Sequence, residues 1–465
     1  MGALKNTFLQ TVCAQIGWKS AHPAVMAELG AHIEDRETAL KQQGLSAEQA
    51  EETAVAEMGD AESVGLSLNT LNKLQINWQL LTVFFILVLL GRLVAHGFIL
   101  YPLHAPGWIG RFSLPSILPE WLLGCALFLG FYFLSLGKAL RGCCAALVVM
   151  LVLIWGVLLI PKGQLFINIP YLVWGDAKLK THYMLLLYPI LYAGTIQRLR
   201  GRGGFIGALL LLILPVVQFL GIQIAWTNSY YSLNCPISVC VLLCAVVLCT
   251  CIIQGRFQVQ KPTALACSML CCAVCIGTAF LCSRFLRGTI SPEASRAAKM
   301  LAHGIREIWK GSKAIGQGEF PPSLNSLGAI YGSFAWNRGP FSTDYRVAMS
   351  VYSFGWLPIV LLLSVTVALL VQMFLLCKRQ PASTMRLMGY AALLNIAGQF
   401  LCYILCNIGL PIPVAFPLPL FSAGQLAYYV YMSMFGLLFS ILRVGHIYVE
   451  SPVHQTVAGK ELLLR

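Results

Sequence analysis

Residues 342–380 read STDYRVAMSVYSFGWLPIVLLLSVTVALLVQMFLLCKRQ. No charged side chain falls between Arg346 and Lys378, and the run exceeds the roughly 20 residues with which an α-helix crosses a hydrocarbon core of about 30 Å. Lipid offers backbone amides and carbonyls no partners, so the run must be helical. The pattern recurs from Trp78 almost to the C-terminus, with apolar spans near 79–98, 118–137, 143–160, 183–197, 205–226, 237–254, 264–284, 347–376, 386–408 and 423–442. The fourth is short and the eighth long. With 58% of residues hydrophobic and only 11% charged, a soluble globule of 465 residues would lack the polar side chains to cover its surface. The chain reads as all-α: a polytopic membrane protein with about ten transmembrane helices, preceded by a small cytoplasmic helical bundle.

Lys and Arg concentrate in alternate short loops, at Lys138 and Arg141, at Arg198, Arg200 and Arg202, at Arg256 and Lys261, and at Lys378, Arg379 and Arg386. The positive-inside rule puts those loops, and both termini, in the cytosol. The long loop at about 285–345 then faces outward, and 446–465 forms a cytoplasmic tail. Net charge is +14, yet residues 1–73 hold ten acids against five bases and the remainder eight acids against 27 bases. The acidic part is a separate module, 1–75, ahead of a membrane domain, 76–445. The basic excess suits anionic headgroups or a phosphate-bearing substrate, besides anchoring to membrane lipids; nothing in the pattern points to nucleic acid. Most of the 17 cysteines lie within apolar spans without a histidine cluster, and read as packing residues rather than metal ligands. No N-terminal signal peptide is expected.

Within the module, Leu4, Phe8, Val12 and Ile16 recur every four residues, and Met26, Leu29, Ile33 and Leu40 every three to seven, so each segment carries one apolar stripe. Gly44 ends a helix, Ser46 with Gln49 forms a capping box that starts the next, and Gly59 with Asp60 repeats the stop and start. The stretches HPAV (22–25), ELGAHIED (28–35) and AVAEMGDAESVG (54–65) resemble the HAAS, or permease-prefix, domain.

In the membrane domain, three stretches stand out. STDY (342–345) places Thr343, Asp344 and Arg346 at the outer mouth of the eighth span. NIGLPIPVAFPLPLFSAGQ (407–425) interrupts the ninth and tenth spans with Pro411, Pro413, Pro417 and Pro419, which donate no backbone hydrogen bonds and force an extended element covered by protein or water. GSKAIGQG (311–318) sits in the large outer loop. Together and in this order they resemble the FtsW/RodA/SpoVE (SEDS) family of ten-span proteins of cell division, cell shape and sporulation. Ser342, Thr343, Asp344 and Tyr345 stand where the family has HTDF, and Leu410, Pro411, Pro417, Leu418, Pro419 and Ser422 where it has LPxxGxPLPFxSYGG.

The resemblance implies a bacterial cytoplasmic-membrane protein that handles lipid II, an undecaprenyl-linked sugar, in peptidoglycan synthesis beside a penicillin-binding protein transpeptidase. The implied activity is glycan-strand glycosyl transfer, in which a carboxylate takes the acceptor hydroxyl's proton and cations hold the departing pyrophosphate. The resemblance fixes no cofactor and leaves a divalent cation open. The family's essential Asp falls on Ser295 in SPEASRAAKMLA (291–302), and a serine hydroxyl is no general base near neutral pH. Glu293 is the neighbouring acid, with Arg296, Lys299 and Lys313 as pyrophosphate contacts and Thr343, Asp344, Arg346, Pro417, Pro419 and Ser422 as groove residues. Ser295 keeps two alternatives alive: a non-catalytic lipid II-binding scaffold, and a lipid-linked precursor transporter. The residues themselves also allow the basic segment within 288–318 to be an amphipathic helix on the outer leaflet, burying Met300, Leu301, Ile305, Ile308 and Trp309 with its cations at headgroups. Arg92, inside the first span, either faces the bundle interior or a polar cavity, where it could pair with a lipid phosphate, or snorkels to the outer headgroups, the favoured reading.

Overall fold

Apolar runs that cannot leave their backbone unpaired become helices, and local punctuation decides where they end. The structure is a computed structural model that describes residues 3–17, 22–71, 76–100, 114–134, 136–159, 171–174, 177–180, 186–199, 234–254, 292–319, 345–380, 382–410 and 425–444, with a few isolated residues between them. The chain divides into two compact units. One comprises Met1–Asn77, Gln380–Met385 and Leu442–Arg465, the other Trp78–Arg379 and Arg386–Ile441.

The first unit contains α1 (Ala3–Gln15), α2 (His22–Gln42), α3 (Ala47–Glu57) and α4 (Ala61–Leu71). Gly44 and Gly59 take positive φ, 95° and 85°, where a side chain would be strained, and so stop α2 and α3. The Ser46–Gln49 capping box is present in both directions, and the amide of Ser63 donates to Asp60 Oδ2 at 2.9 Å to start α4. Phe8, Leu9, Val12, Ile16, Ile33, Leu40, Ala50 and Ala54 make one core. Phe8, Val12, Ile16, Ile33 and Leu40 are the expected stripe residues; Leu4 and Met26 lie exposed instead, at the edges of their stripes.

The second unit contains α5 (Trp78–Leu100), α6 (Leu114–Phe133), α7 (Leu136–Leu159), α8 (Tyr188–Arg198), α9 (Asn234–Ile253), α10 (Pro292–Lys310), α11 (Arg346–Phe354), α12 (Trp356–Lys378), and most of α13 (Ser383–Asn407) and α14 (Gln425–Val444). A short antiparallel hairpin, β1 (Tyr171–Trp174) and β2 (Ala177–Lys180), pairs Tyr171 with Lys180 and is the one departure from an all-helical fold among the described residues. Among the described residues, three helices are long and apolar enough to cross a membrane, Trp356–Lys378, Ser383–Asn407 and Ala427–Val444, and four more carry shorter apolar stretches. Most of the fifth and seventh expected spans lie outside the described residues. In α12, Leu361, Val367, Val371 and Leu375 face outward while Ile359, Thr366, Leu369, Met373 and Cys377 are buried. An outer face this apolar suits lipid rather than water. Phe84 of α5, Phe128 of α6 and Phe435 and Phe439 of α14 pack ring against ring, with centroids 4.9 to 5.5 Å apart.

The long eighth span proves to be two helices. Gly355, with φ 90° and ψ 167°, separates α11 from α12. The span is long because it is broken, and the break matters to the site.

Candidate functional site

A helix broken within an apolar unit exposes the last carbonyls of one half and the first amides of the other. At Gly355 the GSKAIGQG segment supplies the partners. The amides of Gly316 and Gly318 donate to the carbonyls of Phe354 and Tyr352 at 3.0 and 2.8 Å, and the amides of Trp356 and Leu357 donate to Lys313 and Ala314 at 3.1 and 3.0 Å. A Cβ on Gly355 would sit 2.5 Å from the Ala314 carbonyl oxygen, so no other residue allows this approach. The glycines of this motif thus have a stitching role; Gly316 also needs its positive φ of 94°.

The other end of α11 is closed by α13. The Arg346 amide donates to the Tyr403 hydroxyl at 3.1 Å, the Ala348 amide to Asn407 Oδ1 at 3.1 Å, and Asn407 Nδ2 back to the Tyr403 carbonyl at 3.0 Å. These belong to a polar row at four-residue spacing along α13: Asn395, Gln399, Tyr403 and Asn407, all buried. Lower in the row, Asn395 Nδ2 donates to the Leu186 carbonyl at 2.7 Å, just before α8. One face of α13 therefore holds the starts of two other helices.

Helix α10 packs on α11 with Ala302, Ile305 and Ile308 buried. Its Trp309 Nε1 donates to the Asn407 carbonyl at 2.8 Å. The expected apolar face is present, but helix rather than lipid covers its centre; Met300, Leu301 and Trp309 are half-buried and Lys299 exposed. A surface-lying helix is corrected to a docked one because α11 and the end of α13 offer hydrogen bonds as well as apolar contact. Glu293, Ser295 and Arg296 lie in the first two turns of α10, where helical backbone puts positions two apart on different faces; the placement of their side chains falls outside the described structure. Lys313 is exposed, with its carbonyl engaged by Trp356. Arg346 is buried within α11 instead of standing open at a mouth. Thr343, Asp344, Pro417, Pro419 and Ser422 lie outside the described residues.

Arg92 does not snorkel. It is 1% exposed and pairs through Nη2 with a carboxylate oxygen of Glu120 on α6, which is 14% exposed. Its guanidinium carbon lies 4.6 Å from the centre of the Tyr428 ring, a cation–π contact. A Cβ on Gly124, one turn beyond Glu120, would collide with the Cε1, Cζ and hydroxyl of that same ring. Four layers result: α6 backbone at Gly124, the Tyr428 ring, the Arg92 guanidinium and the Glu120 carboxylate. Arg346 lies within electrostatic reach of Arg92 and of Tyr403, and α11 packs on α5. Snorkelling loses because a counter-charge is available within the unit, and a charge in an apolar medium takes the nearest one.

Glu120, Tyr428 and Tyr403 belong to none of the motifs that the sequence displays, and Asn407 only opens the proline-rich stretch. Glu120 carried a signal, being the sole acid between Asn77 and Asp176, and the 395/399/403/407 spacing was another. Tyr428 carried none. Among the described residues no three His, Cys, Asp or Glu side chains gather as a metal site requires.

No family model and no curated protein matches the sequence. Solved structures do. One, from work on the structural coordination of polymerization and crosslinking by a peptidoglycan synthase complex, superposes with a TM-score of 0.51 at 18% identity, over 80% of this chain and 98% of the other. The rod shape determining protein RodA of Thermus thermophilus and a point mutant of it each give a TM-score of 0.45 at 16% identity over 80% of this chain, covering 97% and 98% of theirs. The chain therefore has the fold of a component of a peptidoglycan synthase complex.

Proposed function

We propose that this chain is a SEDS-type protein of the bacterial cytoplasmic membrane that acts on lipid II in peptidoglycan synthesis, with both termini in the cytosol. The supporting observation is the fold shared with a chain of a peptidoglycan synthase complex over 98% of that chain, carried by a sequence whose STDY, GSKAIGQG and proline-rich stretches stand in SEDS order. The reaction is glycosyl transfer: an acceptor hydroxyl attacks the C1 carbon of a donor sugar, and a polyprenyl pyrophosphate leaves. Arg296, Lys299 and Lys313 are the loop cations for the pyrophosphate, with Thr343, Asp344, Pro417, Pro419 and Ser422 along the groove, the buried Arg346 behind it, and Glu293 the acid beside Ser295. The N-terminal unit is a HAAS-type module, and a penicillin-binding protein transpeptidase is the partner.

Ser295 supports a second reading, a lipid II-binding scaffold without transferase activity. Purified protein in proteoliposomes supplied with lipid II separates them. Glycan strands resolved on a gel sustain the transferase reading; lipid II binding without polymer sustains the scaffold, and passage of labelled lipid II across the bilayer without polymer sustains a transporter. Loss of polymer in Glu293→Gln would assign the proton acceptor to the loop.

A further inference from the structure

We infer that the carboxylate serving this site is Glu120, paired with Arg92 and accompanied by the Tyr428 hydroxyl. The inference rests on the transferase reading above and concerns which group takes the proton.

Four observations carry it. Position 295 holds a serine, so the loop lacks a carboxylate there. Glu120 is a carboxylate set in an apolar helix, and a buried ion pair is a poor source of stability because desolvating two charges offsets most of their attraction; an ionisable pair kept at such depth marks function. The pair is also asymmetric. Arg92 is sealed, whereas Glu120 retains 14% exposure, so the acid is the member that can meet a ligand. Finally, the Tyr428 hydroxyl, on a side chain 2% exposed, has no hydrogen-bond partner among the described residues. It lies against Gly124, one turn from Glu120. A buried hydroxyl without a partner costs free energy, which a sugar hydroxyl seated beside Glu120 would recover.

The step balances without a further reactant. The acceptor hydroxyl gives its proton to a Glu120 oxygen as its own oxygen bonds to C1. The bond from C1 to the pyrophosphate oxygen breaks, and the electron pair leaves with the polyprenyl pyrophosphate, whose charge the cations neutralise. Glu120 then returns its proton to water. Arg92 is a positioning residue here: clamped between ring and carboxylate, it fixes the orientation of the acid.

The test uses full-length protein in proteoliposomes with lipid II, read by glycan-strand formation, by binding of fluorescent lipid II and by thermal unfolding. Glu120→Gln is expected to lower polymerisation by about 100-fold or more, as removal of a general base does, with lipid II still bound. The exchange Arg92→Glu with Glu120→Arg restores the ion pair and is expected to fold without polymerising; a merely structural pair predicts that the exchange restores activity, which would overturn the proposal. Polymerisation by Glu120→Gln at the wild-type rate would overturn it alone, leaving the transferase reading intact. A wild-type protein that binds lipid II and forms no polymer overturns both. Should Glu120→Gln fail to fold, Tyr428→Phe removes only the hydroxyl: kcat is expected to fall several-fold, about what one hydrogen bond is worth, and an unchanged kcat would count against the site.

Discussion

The two units hold ion pairs of similar chemistry in opposite surroundings. In the N-terminal unit Arg36 pairs with Glu57 and Lys41 with Glu37, each side chain partly or largely in solvent. In the membrane unit Arg92 is sealed and Glu120 only 14% exposed. Water competes for the first pairs and salt screens them, so they add little to stability. The second pair is largely shielded from such competition, and removing either partner takes from the other a counter-charge in an apolar setting. The Lys5–Glu34 pair at 2.5 Å stands between them, with a buried ammonium reaching a carboxylate 62% exposed.

The largest effect should come from breaking the buried pair. Arg92→Ala or Glu120→Ala alone is expected to destabilise the protein by about 3–5 kcal/mol, while Arg92→Met with Glu120→Leu together should cost far less. Unfolding in detergent micelles, followed by thermal denaturation, measures both; single variants as stable as wild type would show that the site is wet.

Next is the broken helix. Gly355→Ala forces a side chain into a left-handed conformation against the Ala314 carbonyl, at about 1–3 kcal/mol from the backbone alone. Faster amide exchange at Trp356 and Leu357 would report loosened stitching. Asn407→Leu strands the Ala348 amide and should cost about 1–3 kcal/mol. Asn407→Asp keeps an acceptor there and should recover part of that loss.

Smaller still is Ser46→Ala in the N-terminal unit, about 1 kcal/mol for a lost cap, visible as a lower unfolding temperature of that unit. The weakest effect belongs to its surface pairs. Hydrogen bonding to Lys5 holds Glu34 below the usual carboxylate range, and hydrogen bonding to Arg36 does the same for Glu57. A depressed acid contributes its stability above its unfolded pKa and loses it as pH falls through the folded value. The unit's stability should therefore stay level from neutral pH to about the ordinary glutamate value of 4.5 and decline only below it. Glu57→Gln should flatten that decline slightly, measured by circular dichroism of the unit within the full chain.

Elements governed by neighbours in sequence were legible at once. Gly44, Ser46 with Gln49, and Gly59 act within a few residues of where they stand, and their roles follow from φ or from one hydrogen bond. The spans that are described were legible too, because an apolar run in lipid has a single way to satisfy its backbone. The eighth span, expected from its apolar run as one helix, is two. Gly355 alone does not announce a break; the partners that make one affordable lie some 40 residues upstream, in Lys313, Ala314, Gly316 and Gly318.

By itself, then, the sequence determined that this chain is helical and membrane-like, and that an acidic helical module precedes the membrane part. Only the tertiary structure decided where its buried charges went. Arg92 found Glu120 28 positions away, and α11 found its caps in Tyr403 and Asn407 at separations of 57 and 59. The reason is the medium: without water nearby, a charge or an open helix end must find its partner within the protein, and which partner it finds depends on which helices lie side by side.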